Sequence, residues 1–481
     1  MKFKISKTYI ILISLLTAVA VTLSISGCGN SQSPTDPTTE AATTAAIETT
    51  SAEEGTTAPE TTAAPASKRL YESDITVNET IDNSEDGGHA ITADGESADY
   101  SNVLVTKTGD SQGDEADFYG ENAAIFATNG GTLNLSSIVV KTDGTHANGV
   151  FSYGEGTTVN ISDSYIKTTG NCSGGLMTTG GGTMNADNLT IETSGNSSAA
   201  IRSDRGGGTV NVNGGYYETS GTGSPVVYST ADITVSDAEM VSTASEGVVV
   251  EGKNSVTLNN VTLTADNNKR NSDKSSTYKA VMIYQSMSGD AAQGLSSFTM
   301  NGGSLVNKNG DVFFVNNTAT EISLNNASIT NEGDGYFLRA AAAGWGKEGS
   351  NGGQVNLTAE NQTINGDMLA DSISTLNLYL KSNSTFTGAI NSDGEAGSVY
   401  VELESGSTWT LTADSYISSL TCDASAVKLN GHKLYVDGKE YTEGTASQGT
   451  AIEISVSSSD GGHEAPPDGD KPDGEPPAKP D

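Results

Sequence analysis

Proline is almost missing from the middle of this chain. Of its 11 prolines, Pro34, Pro37, Pro59 and Pro65 come early and six follow from Pro466 onward, which leaves Pro225 alone in residues 69–456. A stretch that long with so little proline can keep its backbone N–H groups engaged throughout, as continuous strand ladders require. Bases are scarce too: 24 Lys and Arg face 60 Asp and Glu, for a net charge of −36. That balance argues against nucleic acid as a partner, because its binding rests on clustered Lys and Arg that release counterions. Few residues favour long helices, and Ser, Thr, Asn and Gly supply most of the polarity. There are only 3 cysteines, and Cys172 and Cys422 stand 250 residues apart, so packing rather than a disulfide framework has to hold the fold.

The two ends differ from the middle. Residues 1–27 open on MKFKISK, continue as the apolar run TYIILISLLTAVAVTL and end in SISG before Cys28. A basic segment followed by an apolar one is an export signal, and Ile25, Ser26, Gly27 and Cys28 resemble the lipobox of a bacterial lipoprotein. The resemblance implies that residues 1–27 are removed and that Cys28 carries the acyl chains holding the mature protein on the outer face of a membrane. A membrane-spanning helix with an incidental cysteine is the competing reading. Residues 28–68, rich in Thr, Ala, Glu and Pro, have almost nothing large to bury and read as a disordered tether with a root-mean-square span of roughly 35 Å. Residues 457–481 read as a second disordered segment, acidic and proline-rich. The tether and signal together carry −2, the tail −5, and residues 69–456 the remaining −29.

The middle repeats. Thr132, Thr158, Thr183, Thr209 and Thr234 begin matching segments at spacings of 26, 25, 26 and 25 residues. Each segment holds three short alternating runs, such as TVNI, SYIKT and GVFS, separated by Gly, Asn, Asp and Ser that supply the positive φ of sharp corners. Three strands per repeat without helical periodicity predict a right-handed parallel β-helix over residues 69–456, of roughly 13 to 15 coils and about 65 Å at about 4.8 Å per coil. An array of β-sandwiches would instead show a period near 90 to 100 residues. The expected interior residues include Val159, Ile161, Ile166 and Leu176 in one coil and Val210, Val212, Tyr216 and Val226 in another. Long insertions interrupt the pattern near 265–280 and 340–353.

The repeat resembles the pectin-lyase-like β-helix superfamily. Strings such as FYGENAAIFATNGGTL, GVFSYGEGTTVNISDS, SAAIRSDRGGGTVNV and VVVEGKNSVTL are similar to those of exported bacterial surface lipoproteins described as adhesin-like or carbohydrate-binding. The resemblance implies location and fold more than activity. Aligned by column, the third strand of each coil places Phe126, Phe151, Met177, Arg202, Val227, Val249, Met282 and Phe313 outward. Thr128, Tyr153, Thr179, Asp204, Ser229, Glu251 and Tyr284 follow two residues on, with Arg205 and Lys253 at the edge. Aromatic rings beside carboxylates are what sugars bind, so Phe126, Phe151, Tyr153, Arg202, Asp204, Arg205, Glu251, Lys253, Tyr284 and Phe313 form the expected binding face for a glycan or cell-surface partner. In the plainer alternative, loops pack over this column and the segment NKRNSDKSSTYK covers it. Trp345, in a Gly-rich insertion, is either an exposed sugar platform or a pin for its loop.

Catalysis has thinner support. Lyases of the superfamily need clustered Ca²⁺ carboxylates with a basic residue and its hydrolases need a carboxylate pair, and no string here reproduces such a motif. A polysaccharide lyase or hydrolase and a passive surface spacer are the alternatives to a binding rod. A core at −29 also repels a polyanionic substrate. Asp110, Asp114, Glu115, Asp117 and Glu121 supply oxygen ligands densely enough for Ca²⁺ but without the order of a known calcium loop. No other cofactor is expected, since the four histidines are scattered and adjoin no cysteine.

Overall fold

The structure, a computed structural model, describes residues 69–394 and 397–458. Residues 1–68, on which the expected signal, Cys28 and the tether fall, and residues 459–481, which hold nearly all of the expected tail, lie outside the described residues. Three all-parallel sheets of thirteen, ten and eleven strands wrap one apolar core. One coil consists of Thr158–Ser162, Tyr165–Thr168 and Leu176–Thr179, each in a different sheet. Every strand pairs in register with its counterparts one coil away, so that Val159 lies between Leu133 and Met184. The chain is a right-handed parallel β-helix, the hand expected for parallel crossover connections. Thirteen strands stacked at about 4.8 Å make a sheet about 58 Å across. Toward the C-terminal end a four-stranded sheet beginning at Thr363–Asn365 and a three-stranded one carry the coils on.

A single left-handed residue turns the chain from the thirteen-stranded sheet into the ten-stranded one. Ser137, Asp163, Asn188, Asp237 and Asn260 occupy that corner in different coils with φ between 46° and 55°. Asn and Asp tolerate this conformation because their short polar side chains hydrogen-bond locally. They also tie the coils together: Asn188 Nδ2 donates to Asp163 Oδ1 at 2.6 Å, and Asn260 Nδ2 donates to Asp237 Oδ1 at 2.6 Å. The next strand begins two residues after the corner, which makes the bend abrupt and brings the two sheets together over the core.

The expected interior residues Val159, Ile161, Ile166, Leu176, Val210, Val212 and Val226 are all in the core. Three phases differ from expectation, each at a pair of adjacent apolar residues. Tyr217, in register with Ile191, points inward, whereas Tyr216 faces out beneath the Arg69 guanidinium. Val227, in register with Ile201 and Val248, is interior, so Tyr228 takes the outward place and Ser229 turns inward. Phe313 is also interior, its ring 5.6 Å from both Phe298 and Phe337, and Phe314 faces out.

Candidate functional site

The eleven-stranded sheet brings much of the expected face together. Phe126, Phe151, Met177, Arg202, Tyr228, Val249, Met282 and Phe314 follow one another in register along its outer surface. Glu251 and Tyr284 pair two residues further on. The face is nevertheless closed. Insertions near 109–122, 266–278, 285–294 and 341–353 fold over it, leaving Phe151 and Glu251 fully buried and Arg202, Asp204, Arg205 and Tyr284 no more than 7% exposed. Tyr153 remains half-buried against Tyr119, and Lys253 is exposed at the edge. The aromatic face expected from the sequence is not an open surface: Phe313 belongs to the core, the other face residues lie buried under the covers, and Tyr153 and Lys253 alone among the ten reach the surface.

Two apolar clusters sit under the covers with an ionic network between them. Ala123, Phe126, Phe151 and Met177 form one cluster; Val249, Met282, Tyr284 and Phe314, with Tyr228 and Trp345 against them, form the other. Between them Arg202 bonds Asp204 at 2.8 Å and Asp117 at 3.2 Å. Arg205 bonds Asp290 at 2.6 Å and Asp114 at 2.7 Å while lying 3.6 Å over the Phe118 ring. Asp114 and Asp117 come from the short helix Asp114–Phe118, and Asp290 from the 285–294 insertion, so two arginines of the rod clamp two separate covers. Among the described residues Glu251 enters no ion pair. It accepts hydrogen bonds from Tyr228, Ser286 and Tyr284, the last at 3.0 Å.

Burial dominates the electrostatics here. It pushes the Asp204 carboxyl up to about 7, with Arg202 pulling the other way and Asp117 and Asp290 adding to the rise. Burial likewise raises Glu251 above the usual carboxylate range against the pull of its three hydroxyl donors. The hydroxyls of Tyr228 and Tyr284 are held well above the usual tyrosine value, chiefly by burial and then by the Glu251 charge.

The acidic stretch considered for Ca²⁺ does not converge on one point. Asp114 and Asp117 engage different arginines, Glu121 accepts from Ser111 at 2.6 Å, and Asp110 accepts from the Thr145 N–H at 2.6 Å. Among the described residues no group of three or more His, Cys, Asp or Glu side chains is placed to hold a metal ion.

An open groove lies on the thirteen-stranded sheet. A groove of about 700 Å³ crosses successive coils there, running from Asp99 to Ser236. Its central line is an amide ladder: Asn134 donates to Asp99 at 2.8 Å, Asn160 to Asn134 at 2.8 Å, Asn185 to Asn160 at 2.9 Å and Asn211 to Asn185 at 2.9 Å. A carboxamide has two N–H donors and an oxygen with two lone pairs, so these bonds leave donor and acceptor capacity unspent at each step. The sequence carries the signal, since Asn134, Asn160, Asn185 and Asn211 recur with the same 25 to 26 residue spacing as the threonines two residues before them.

No known family matches this sequence, and no curated protein matches it. Among solved structures, a chain of "The cryo-EM structure of the Vag8-C1 inhibitor complex" is similar at 16% identity and a TM-score of 0.44, over 75% of this chain and 100% of that one.

Proposed function

We propose that this protein is a lipid-anchored surface rod that binds glycan along the thirteen-stranded sheet. The observation that carries the reading is the groove of about 700 Å³ floored by the Asn134–Asn211 amide ladder. Sugar hydroxyls both donate and accept, and the ladder offers both roles at a repeat of about 4.8 Å. The far end of the same sheet shows the spare capacity in use. Asn377 keeps its ladder bond to Asn356 at 2.7 Å and also receives the chain at Ile452. Export and acylation at Cys28 set the rod on the outer face of a membrane, with residues 28–68 as its tether.

The test is a glycan array probed with the wild type and with Asn160→Ala/Asn185→Ala. Binding that the double variant loses supports the reading. An array with no binder, or binding that the variant keeps, overturns it.

A further inference from the structure

A second, smaller cavity lies on another side of the rod, beneath residues 266–278. We propose that it is a binding site for the carboxylate end of an acidic sugar of the uronate class. This proposal stands independently of the groove.

The cavity measures about 100 Å³. At about 30 Å³ per water that is room for roughly three waters, enough for a carboxylate and the ring atoms beside it, with the rest of the sugar at the mouth. Tyr228, Tyr278 and Trp345 wall it with aromatic surface, and Lys269, Arg270 and Lys279 line it with positive charge against the single carboxylate of Glu246. Aromatic faces take the C–H surface of a sugar ring, while ammonium and guanidinium groups take its carboxylate.

Two of the three basic groups here enter no ion pair among the described residues, although acids outnumber bases across the chain. Lys279 is 5% exposed; its Nζ donates to the Thr277 carbonyl at 3.0 Å and pairs with the Glu246 carboxylate at 3.8 Å. An ammonium has three donors. Burial holds Lys279 below the usual lysine range while Glu246 and Asp311 pull it up, so a carboxylate in the cavity adds to a counter-charge that leaves the burial cost unmet. Lys269 and Arg270 are exposed at the rim and enter none of the ion pairs among the described residues.

The cavity is also built rather than incidental. Pro225, the rod's single proline, lines it beside Gly223, where an added Cβ would come within 2.4 Å of Asn271. The missing side chain at Gly223 is what lets Asn271 of the insertion lie this close to the coil. Trp345 lies edge-on to Tyr284 with ring centroids 5.3 Å apart and remains half-buried. A polyuronate lying along the rod meets the repulsion of its −29 charge, so the site favours one acidic residue, free or at a glycan end.

The test uses the fluorescence of Trp345 in the full mature chain. The other tryptophan, Trp409, is fully buried with its Nε1 bonded to the Gly388 carbonyl at 2.9 Å, so Trp345→Phe removes the reporting signal. Titration with glucuronate should give a saturable change that glucose does not give. Arg270→Gln should weaken it about tenfold, Lys279→Met should abolish it, and Asn160→Ala/Asn185→Ala should leave it unchanged. A glucuronate-terminated disaccharide that binds as well as the free acid identifies a glycan end as the ligand; a disaccharide that fails identifies the free sugar. The proposal is overturned if glucuronate gives no saturable change, if glucose matches it, or if Arg270→Gln, whose site is exposed and tolerant, binds like the wild type.

Discussion

The side chain of Asn377 holds the backbone of Ile452, 75 residues later, by both of its polar groups. Its Nδ2 donates to the Ile452 carbonyl at 2.8 Å and its Oδ1 accepts the Ile452 N–H at 3.0 Å. The amide thus treats the incoming segment as a neighbouring strand would. Asn377→Ala removes both bonds and the ladder bond to Asn356. The expected cost is about 1–3 kcal/mol, from roughly 1 kcal/mol per hydrogen bond. Amide exchange at Ile452 should accelerate in that variant while exchange at Val159 stays unchanged; unchanged exchange at Ile452 would contradict the docking role.

Arg202 is expected to act on stability rather than on glycan affinity. Arg202→Ala leaves Asp117 and Asp204 buried without their cation, and losing one partner of a buried ion network costs about 3–5 kcal/mol. Phe151→Ala should cost a similar amount, about 3–5 kcal/mol, by opening a cavity in the cluster with Phe126 and Met177. Denaturant titration measures both. The covering helix Asp114–Phe118 should become protease-sensitive in Arg202→Ala before the rod does.

Acidity should tighten the covers. The folded state holds Asp204 at about 7, above its unfolded value of about 3.9, so it favours the protonated form. A raised value contributes stability that is full below the unfolded value and is lost as pH rises through the folded one. Glu251 shifts in the same direction. Thermal unfolding is therefore expected to occur at a higher temperature near pH 5 than near pH 8, with Asp204→Asn shrinking the difference. If the variant shows the same pH dependence as the wild type, Asp204 is not its source.

The proposed acylation makes membrane attachment depend on one sulfur. Cys28→Ala should move the protein from the membrane to the soluble fraction and abolish incorporation of labelled palmitate. Retention of label in that variant would exclude Cys28 as the acylated residue.

The coil architecture is legible because a threonine recurring every 25 or 26 residues can be satisfied by stacking and by little else. Interior residues follow from alternation wherever polar and apolar residues alternate. Phase becomes illegible at Tyr216–Tyr217, Val226–Val227 and Phe313–Phe314, where two neighbours are equally fit to face the core. The covers are hidden for a different reason. Arg202 meets Asp117 across 85 residues and Arg205 meets Asp114 across 91, and no local pattern announces such a contact. The amide ladder lies between these cases: its spacing is plain in the sequence, but asparagine serves corners as readily as exposed faces, and only the register separates Asn188 in a corner from Asn185 in the groove.

A stack in which each coil touches only its neighbours behaves as a one-dimensional chain of units, free to fray from either end. The two arginine clamps break that independence. By tying the 109–122 and 285–294 insertions to Arg202 and Arg205, they make the coils between them open together or not at all. Pulled from one end, such a rod would yield first at its outermost coils and then resist as one block, so a ligand held at mid-rod would stay held while the ends give way.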